Sequence, residues 1–150
     1  MELETDKLAF VGILPFEKHH YEAARALWER TDGVGLSDAD AEPAIAQFLD
    51  RNRGLSLVAI CANELVGTIL VGHDGRRGYI HHLAVAASEQ KQGLGSKLVR
   101  MGISGLAEIG IRKCHLLVFA NNASGRDFWQ KIGAQHKDAL VLYSLETNAP

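Results

Sequence analysis

Residues 83–99 constrain this chain more than any other segment, because they are typical of an apolar strand, a polar turn with glycines and an amphipathic helix in succession. Gly93 and Gly95 carry no side chain where a ligand must approach the backbone. The first N–H groups of a helix have no partner inside it and lie at the positive end of its dipole. The segment therefore predicts a pocket for an anion such as a diphosphate. Three side chains add donors beside the turn, namely Gln90, Lys91 and Gln92.

The spacing of the glycines excludes two common nucleotide-binding loops. A phosphate-binding lysine loop needs four residues between its glycines and then Gly-Lys-Ser/Thr, whereas a dinucleotide loop needs G-x-G-x-x-G. Here Gly93-Leu94-Gly95 is followed at the third position by Leu98. The turn is therefore of another kind.

The pattern Gln90-x-x-Gly93-x-Gly95, preceded by Leu83-Ala84-Val85, resembles the acyl-coenzyme A loop of the GCN5-related N-acetyltransferase (GNAT) superfamily. In that family the loop cradles the pyrophosphate of the cofactor, so the resemblance implies acetyl-coenzyme A (acetyl-CoA). It implies these cofactor-binding residues: Leu83, Ala84, Val85, Gln90, Lys91, Gln92, Gly93, Leu94, Gly95 and Ser96.

Composition and charge narrow the class of protein. The chain has 150 residues, the size of one domain spanning 1–150, and a net charge of −2, which gives no footprint for nucleic acid. Cys61 and Cys114 lie in apolar runs, which favours buried reduced thiols over a disulfide or a metal site. The acidic N-terminus and the lack of any apolar run near ~18 residues predict neither a signal peptide nor a membrane partner. A cytoplasmic protein is expected.

Apolar periodicity predicts the element order β-α-α-β-β-β-α-β-α-β, with an antiparallel meander of three strands in the middle. This is the order of the GNAT fold, so the resemblance implies an α/β (α+β) fold with a mixed, mostly antiparallel central sheet flanked by helices. The strands are expected at residues 8–14, 56–62, 65–71, 79–86, 114–119 and 140–145. The helices are expected at residues 17–30, from a cap at Asp38 or Asp40 through Leu49, at 94–109 and at 124–132.

A second block, residues 121–133, looks like the late Asn-x-x-Ala-x-x-Phe-Tyr-x-x-x-Gly element of the same family. Asn122, Phe128 and Gly133 match in register. In the family the asparagine hydrogen-bonds the pantetheine arm and the helix packs on the cofactor, which adds Asn122, Phe128 and Trp129 to the implied cofactor site. The alternative is a helix N-cap followed by a core aromatic residue.

The resemblance implies direct transfer of an acetyl group from acetyl-CoA to a primary amine through a tetrahedral intermediate. Backbone N–H groups near residues 83–85 are expected to bind the thioester and pantetheine, because in this fold the strand splays away from the next one. These groups would polarise the thioester carbonyl.

His81 is the expected general base. Alternation along a strand places His81 and His82 on opposite faces. In the arylalkylamine branch of the superfamily, a strand histidine stands four residues before the valine of Leu-Ala-Val, which is the register of His81 here. Imidazole, with a pKa of about 6.5, suits proton removal at neutral pH. The alternative is that either histidine only forms hydrogen bonds within the sheet.

Two departures from the family pattern leave the general acid open. Trp129 replaces the tyrosine that commonly lies near the coenzyme sulfur, and an indole N–H cannot act as an acid. Tyr79 and Tyr143 are weakly supported substitutes. Residues 116–119 are wholly apolar and lack the glutamate that some members use in the fifth strand.

The acceptor is expected on the early helices and the loop between them. Candidates to contact an amine are Trp28, Arg30, Asp32, Asp38 and Asp40, which could equally be solvated caps. Three functions stay open: an N-acetyltransferase of a small-molecule amine or amino acid, a protein N-acetyltransferase, and a non-catalytic acyl-CoA-binding module. A homodimer is compatible with the resemblance, since many relatives pair through late strands or helices.

Overall fold

The computed structural model describes residues 10–148. Residues 8 and 9 of the expected first strand lie outside this range. The helices and strands are β1 (Val11–Pro15), α1 (Tyr21–Glu29), α2 (Glu42–Arg51), β2 (Leu57–Cys61), β3 (Glu64–His73), β4 (Gly78–Val85), α3 (Leu94–Glu108), β5 (Cys114–Leu116) and α4 (Ala123–Lys131).

The chain divides into two compact units, one ending at Leu117 and the other beginning at Val118. The first unit holds a five-stranded sheet in the order β1-β2-β3-β4-β5. The first four strands are antiparallel, and β5 is parallel to β4. This mixed sheet with flanking helices confirms the expected fold class.

Helices cover both faces of the sheet, and neighbouring residues of β3 point to opposite sides. A Cβ on Gly67 would lie 3.2 Å from Leu98 of α3. Thr68, the next residue, faces Trp28 of α1, and a Cβ on Gly72 would lie 2.9 Å from Phe48 of α2. Helix α3 therefore covers one face, and α1 and α2 cover the other.

Helix α1 docks through residues spaced one turn apart. Ala24, Leu27 and Trp28 are buried, with Leu27 and Trp28 at 0% and 1% exposure. This i, i+3, i+4 spacing places one apolar stripe against the sheet. Trp28 thus belongs to the core, and its expected contact with an acceptor amine is wrong.

A β-bulge interrupts β4. Leu70 pairs with His81 and Thr68 pairs with Ala84, so two residues of β4 stand opposite one residue of β3. His82 lies in this bulge with a φ of 48°, in the left-handed region that few non-glycine residues adopt. The bulge changes which side chains share a face.

The second unit contains α4 and no strand among its described residues. Residues 140–145, expected as the last strand, are irregular, and this prediction is wrong because a strand needs a hydrogen-bonding partner that this unit does not supply. The apolar side chains of this segment are 70–93% exposed: Leu140, Val141, Leu142, Tyr143 and Leu145.

Both cysteines are free thiols. Cys61 and Cys114 are half-buried, which corrects the expectation of full burial. Partial burial raises the pKa of the Cys114 thiol above its ordinary value. Between residues 10 and 148, no helix combines the length and the apolar character that crossing a membrane demands.

Candidate active site

The two histidines of β4 lie on the same face of the sheet. The His81 ring contacts Phe48 of α2 edge-on, with centroids 6.0 Å apart, and the His82 ring contacts Trp28 of α1 at 4.7 Å. Simple alternation had predicted opposite faces. The bulge adds one residue at this point, which cancels the alternation and brings both rings under α1 and α2.

His82 and Asp40 form a buried pair. His82 Nε2 lies 2.6 Å from Asp40 Oδ1, and the side chains are only 14% and 8% exposed. A carboxylate only accepts hydrogen bonds, so Nε2 carries the hydrogen. The second oxygen, Asp40 Oδ2, accepts from the backbone N–H of Ser37 at 2.9 Å. Asp40 is therefore an internal anchor and not a solvated cap.

The carbonyl of Asp40 is also held from helix α1. It accepts hydrogen bonds from the Tyr21 hydroxyl at 2.7 Å and from Arg25 Nη1 at 3.2 Å. The end of the loop before α2 is thus fixed to both α1 and β4. By contrast, the other acceptor candidates of this region are exposed: Arg30, Asp32 and Asp38.

A third anchor holds the backbone of the bulge. The Thr68 hydroxyl donates to the His82 carbonyl at 2.8 Å and accepts from Trp28 Nε1 at 2.9 Å. Sequence reasoning missed Thr68, and the available signal was a hydroxyl in the middle of the apolar run of β3. A buried hydroxyl needs a partner, which here is the strained residue.

His81 is exposed to solvent yet its proton affinity is altered. Partial burial of the ring lowers the pKa of His81, and the neighbouring His82 lowers it further, while Asp40 raises it. The lowered pKa keeps the imidazole neutral at pH 7, the form that accepts a proton.

Strand β4 continues past the end of β5. The parallel ladder joins only Gly78 to Cys114, Tyr79 to His115 and Ile80 to Leu116. Residues 81–85 therefore have no strand partner on this edge within the described chain, as the expected splay required. Leu83, Ala84 and Val85 occupy this stretch, and Ala84 is itself buried at 2% exposure, so a ligand can reach it only through its backbone.

The turn after β4 is closed by Gln90. Its side-chain Nε2 donates to the Val85 carbonyl at 2.9 Å, so this N–H shapes the turn and is not directed at a ligand. Lys91 and Gly93 both have left-handed backbone, with φ of 65° and 85°. Gln92 Oε1 is buried and has no hydrogen-bond partner among residues 10–148.

Helix α3 begins directly after this turn. Gly93 is its N-cap, and no side chain of the described residues caps this helix by a hydrogen bond. Leu94 is 1% exposed and packs into the core, which leaves only its backbone for a ligand. Gly95 and Ser96 are half-buried in the first turn.

The second block lies in the second unit. Asn122 is the N-cap of α4, where its Oδ1 accepts from the Gly125 N–H at 3.0 Å. This fulfils the alternative expected for Asn122, a cap. Phe128 and Trp129 are half-buried, with their rings perpendicular and 5.1 Å apart.

The turn between β3 and β4 uses the backbone of its two arginines. Asp74 Oδ1 accepts from the N–H groups of Arg77 and Arg76, both at 2.8 Å. These bonds lower the pKa of Asp74 below its ordinary value. The turn is thus stabilised locally.

Comparison with known proteins places the chain in one family. The model of the acetyltransferase (GNAT) family matches residues 18–134. An acetyltransferase of Pectobacterium atrosepticum, ECA0875, is 30% identical over 127 residues, which cover 85% of this chain and 89% of that protein. An acetyltransferase of Sodalis glossinidius, SG1711, matches at the same identity and coverage.

Solved structures share the fold at lower identity. The aminoglycoside acetyltransferase AAC(6')-Iy, in complex with a bisubstrate analogue, superposes with a TM-score of 0.71 at 15% identity, covering 91% of this chain and 98% of that one. The ribosomal-protein-S18-alanine N-acetyltransferase of Escherichia coli has a TM-score of 0.69 at 22% identity, with coverage of 82% and 76%. The family match over residues 18–134 and the two curated relatives show that the chain belongs to the GNAT family of acetyltransferases.

Proposed function

We propose that this acetyltransferase moves an acetyl group from acetyl-CoA to the primary amine of a small molecule or amino acid by direct attack. Acetyl-CoA, the donor of the family, supplies the activated acetyl group. The observation that supports the site most is the edge of β4 at residues 81–85, which lacks a strand partner and leads directly into the turn before α3.

The turn suits the diphosphate of coenzyme A. The first N–H groups of α3 have no helical partner and lie at the positive end of its dipole. Gly93 keeps this entrance free of a side chain, and Lys91 adds positive charge. Residues 92–96 bind the diphosphate through backbone N–H groups in this proposal. Leu83, Ala84 and Val85 bind the pantetheine arm and thioester through backbone groups.

We further propose, as the resemblance implies, that Asn122, Phe128 and Trp129 of the second unit contact the cofactor. Asn122 Oδ1 is engaged by the N-cap, so its Nδ2 is the group that remains for the pantetheine arm. Trp129 supplies an apolar wall and no acid. The proton that the departing thiolate needs therefore comes from another donor or from water.

His81 is the proposed base. It is the exposed histidine of the pair, and its lowered pKa favours the neutral ring that takes a proton from the acceptor ammonium. Its neighbour His82 already uses Nε2 for Asp40. We assign proton transfer to His81 and not to His82 because His81 is exposed and His82 is half-buried.

A small acceptor is favoured over a protein by the loop of residues 31–40. The end of this loop is anchored to β4 through Asp40, on the face where both histidines lie. A fixed loop beside the base narrows the acceptor side, which suits a small amine. Proteins of the same fold act on either kind of substrate. One is an aminoglycoside acetyltransferase, and another is named for the alanine of a ribosomal protein.

The test is release of coenzyme A on panels of small amines, amino acids and N-terminal peptides, with wild type, His81→Ala and the control His19→Ala. His19 is an exposed histidine far along the chain from β4, so its replacement should leave turnover unchanged. We expect turnover on a small amine that falls sharply in His81→Ala. Turnover only on peptides would contradict the acceptor class, and tight binding of coenzyme A without turnover would indicate a binding module.

A homodimer is the proposed assembly. The exposed apolar segment 140–145 is the kind of surface that a partner covers in solution. Light scattering after gel filtration should give twice the mass of the chain. Leu142→Asp should reduce it to a monomer and Thr147→Asp should not, whereas a monomeric wild type would contradict the proposal.

A further inference from the structure

Asp40 and His82 join two parts of the chain that carry different tasks in the proposed function. Asp40 ends the loop before α2, on the acceptor side, and His82 lies in the bulge of β4, where the strand edge has lost its partner. The two residues are 42 positions apart, and their bond of 2.6 Å is the direct link between loop and strand.

The bulge is a strained feature that needs external support. A left-handed φ of 48° at a histidine costs free energy, of the order of 1 kcal/mol or more. Such a conformation persists only where surrounding contacts determine it. Here the ring is held by Asp40 and packs on Trp28, and the carbonyl is held by Thr68.

Asp40 can hold the pair because both its oxygens are committed. Oδ1 accepts from His82 and Oδ2 accepts from the N–H of Ser37. An asparagine at this position that keeps its oxygen on the N–H of Ser37 presents an NH2 donor to His82, so His82 Nε2 can no longer donate and could bond only as the tautomer with its hydrogen on Nδ1. A hydrogen bond donated by Nε2 while Ser37 stays satisfied therefore favours the carboxylate.

We propose that Asp40 and His82 are positioning residues for acetyl transfer, which fix the bulge of β4 and with it the placement of His81 and of the strand edge at residues 83–85. This inference rests on the proposed function of that edge. The pair acts through the backbone it holds and through its neighbour, without itself taking the proton.

The kinetic test compares Asp40→Asn and His82→Asn with Asp50→Asn. Asn tolerates left-handed backbone, so His82→Asn keeps the bulge accessible while removing the imidazole. Asp50 is a matched control, because it is a carboxylate of α2 in an exposed ion pair with Lys18 at 3.0 Å. Circular dichroism and thermal melting identify the variants that are folded.

We expect kcat to fall roughly 10- to 100-fold in Asp40→Asn and His82→Asn, because small misplacements of reacting groups have effects of this size. The KM for acetyl-CoA should stay within about twofold, since the diphosphate turn is untouched. The acid limb of the pH profile should persist, with a midpoint that moves up in His82→Asn and down in Asp40→Asn, because His82 lowers the pKa of His81 and Asp40 raises it. Asp50→Asn should match wild type. Unchanged kcat in both folded variants would overturn the proposal, and so would loss of the acid limb in His82→Asn, since His82 would then be the base.

A second measurement needs no turnover. Uniform nitrogen-15 labelling should show a protected Nε2–H on His82 in wild type, and its loss in Asp40→Asn, together with shifted backbone amides at Leu83 and Ala84. Unshifted amides would overturn the positioning role. If wild type turns over no amine at all, the proposed function fails, and this spectrum still decides whether the pair fixes the bulge.

Discussion

Trp28 donates its indole N–H to the Thr68 hydroxyl at 2.9 Å, although the two residues are 40 positions apart. They are 1% and 0% exposed. The hydroxyl in turn donates a hydrogen bond to the carbonyl of His82 at 2.8 Å. A core aromatic residue thereby supports the backbone of the candidate active site through a single intermediate side chain.

Trp28→Phe should destabilise the protein by about 1–3 kcal/mol, because it removes a donor from a buried hydroxyl and leaves space in the core. The free energy of unfolding in urea measures this. Phe10→Leu is the control, since Phe10 is 76% exposed and should change stability by no more than ~0.5 kcal/mol. Equal stability of both variants would contradict the role of this bond.

Gly78→Ala should destabilise the first unit by about 1–3 kcal/mol through overpacking. A Cβ there would lie 2.6 Å from Leu106 Cδ1 and 3.1 Å from the Cβ of Cys114. Gly12→Ala in β1 is the control, because no counted neighbour among the described residues lies within 4 Å of its added Cβ. Chemical denaturation should separate the two, and a loss as large in Gly12→Ala would refute the steric reason.

With His81 as the base, kcat/KM should fall at low pH, and the midpoint of this fall should lie below the ordinary pKa of histidine. A base works when neutral, so kcat/KM should rise with pH through a midpoint below about 6.5, because partial burial and His82 lower the pKa of His81. The limb should vanish in His81→Ala and persist in His19→Ala.

The same shift predicts a change in stability with pH. The unfolded chain binds the His81 proton more readily than the folded one, so this contribution to stability is lost as pH falls from about 6.5 through the lowered pKa. Unfolding measured across this interval should show a smaller pH dependence in His81→Ala than in wild type. An identical dependence would argue against the lowered pKa.

A comparison of Gly93→Ala with Gly75→Ala should separate the loss of stability caused by backbone strain from a loss of affinity for coenzyme A. Both glycines have left-handed backbone, with φ of 85° and 91°, so an alanine costs each about 1–2 kcal/mol of stability. Only Gly93 lies at the entrance of α3, so only its replacement should weaken the affinity for coenzyme A in calorimetry. Equal affinity for both variants would count against the diphosphate turn.

The sequence was sufficient for the elements whose signal is local. Apolar runs bounded by polar turns placed β2, β3 and β4, and helical spacing placed α3, each within a few residues, because these signals lie within the segment itself. The turn with Gly93 was found for the same reason, since its glycines and the following helix are adjacent in the chain. Family membership, established by the match over residues 18–134, agrees with that interpretation.

Other features depended on partners far along the chain. The prediction of a last strand at residues 140–145 was wrong. A strand there needs hydrogen bonds from a second strand, and an apolar sequence does not guarantee such a partner. Trp28 was a candidate acceptor contact because the resemblance places the acceptor on the early helices, and only the packing of α1 on β3 showed that it is internal.

What the chain by itself determined is therefore the element order of the sheet and its helices and the glycine turn that opens α3, because period and turn chemistry are properties of neighbouring residues. Tertiary structure decided which face His81 and His82 share and that Asp40 reaches His82. One extra residue in β4 reversed the alternation, and such a bulge arises from pairing with β3 and support from Thr68, which no local pattern encodes.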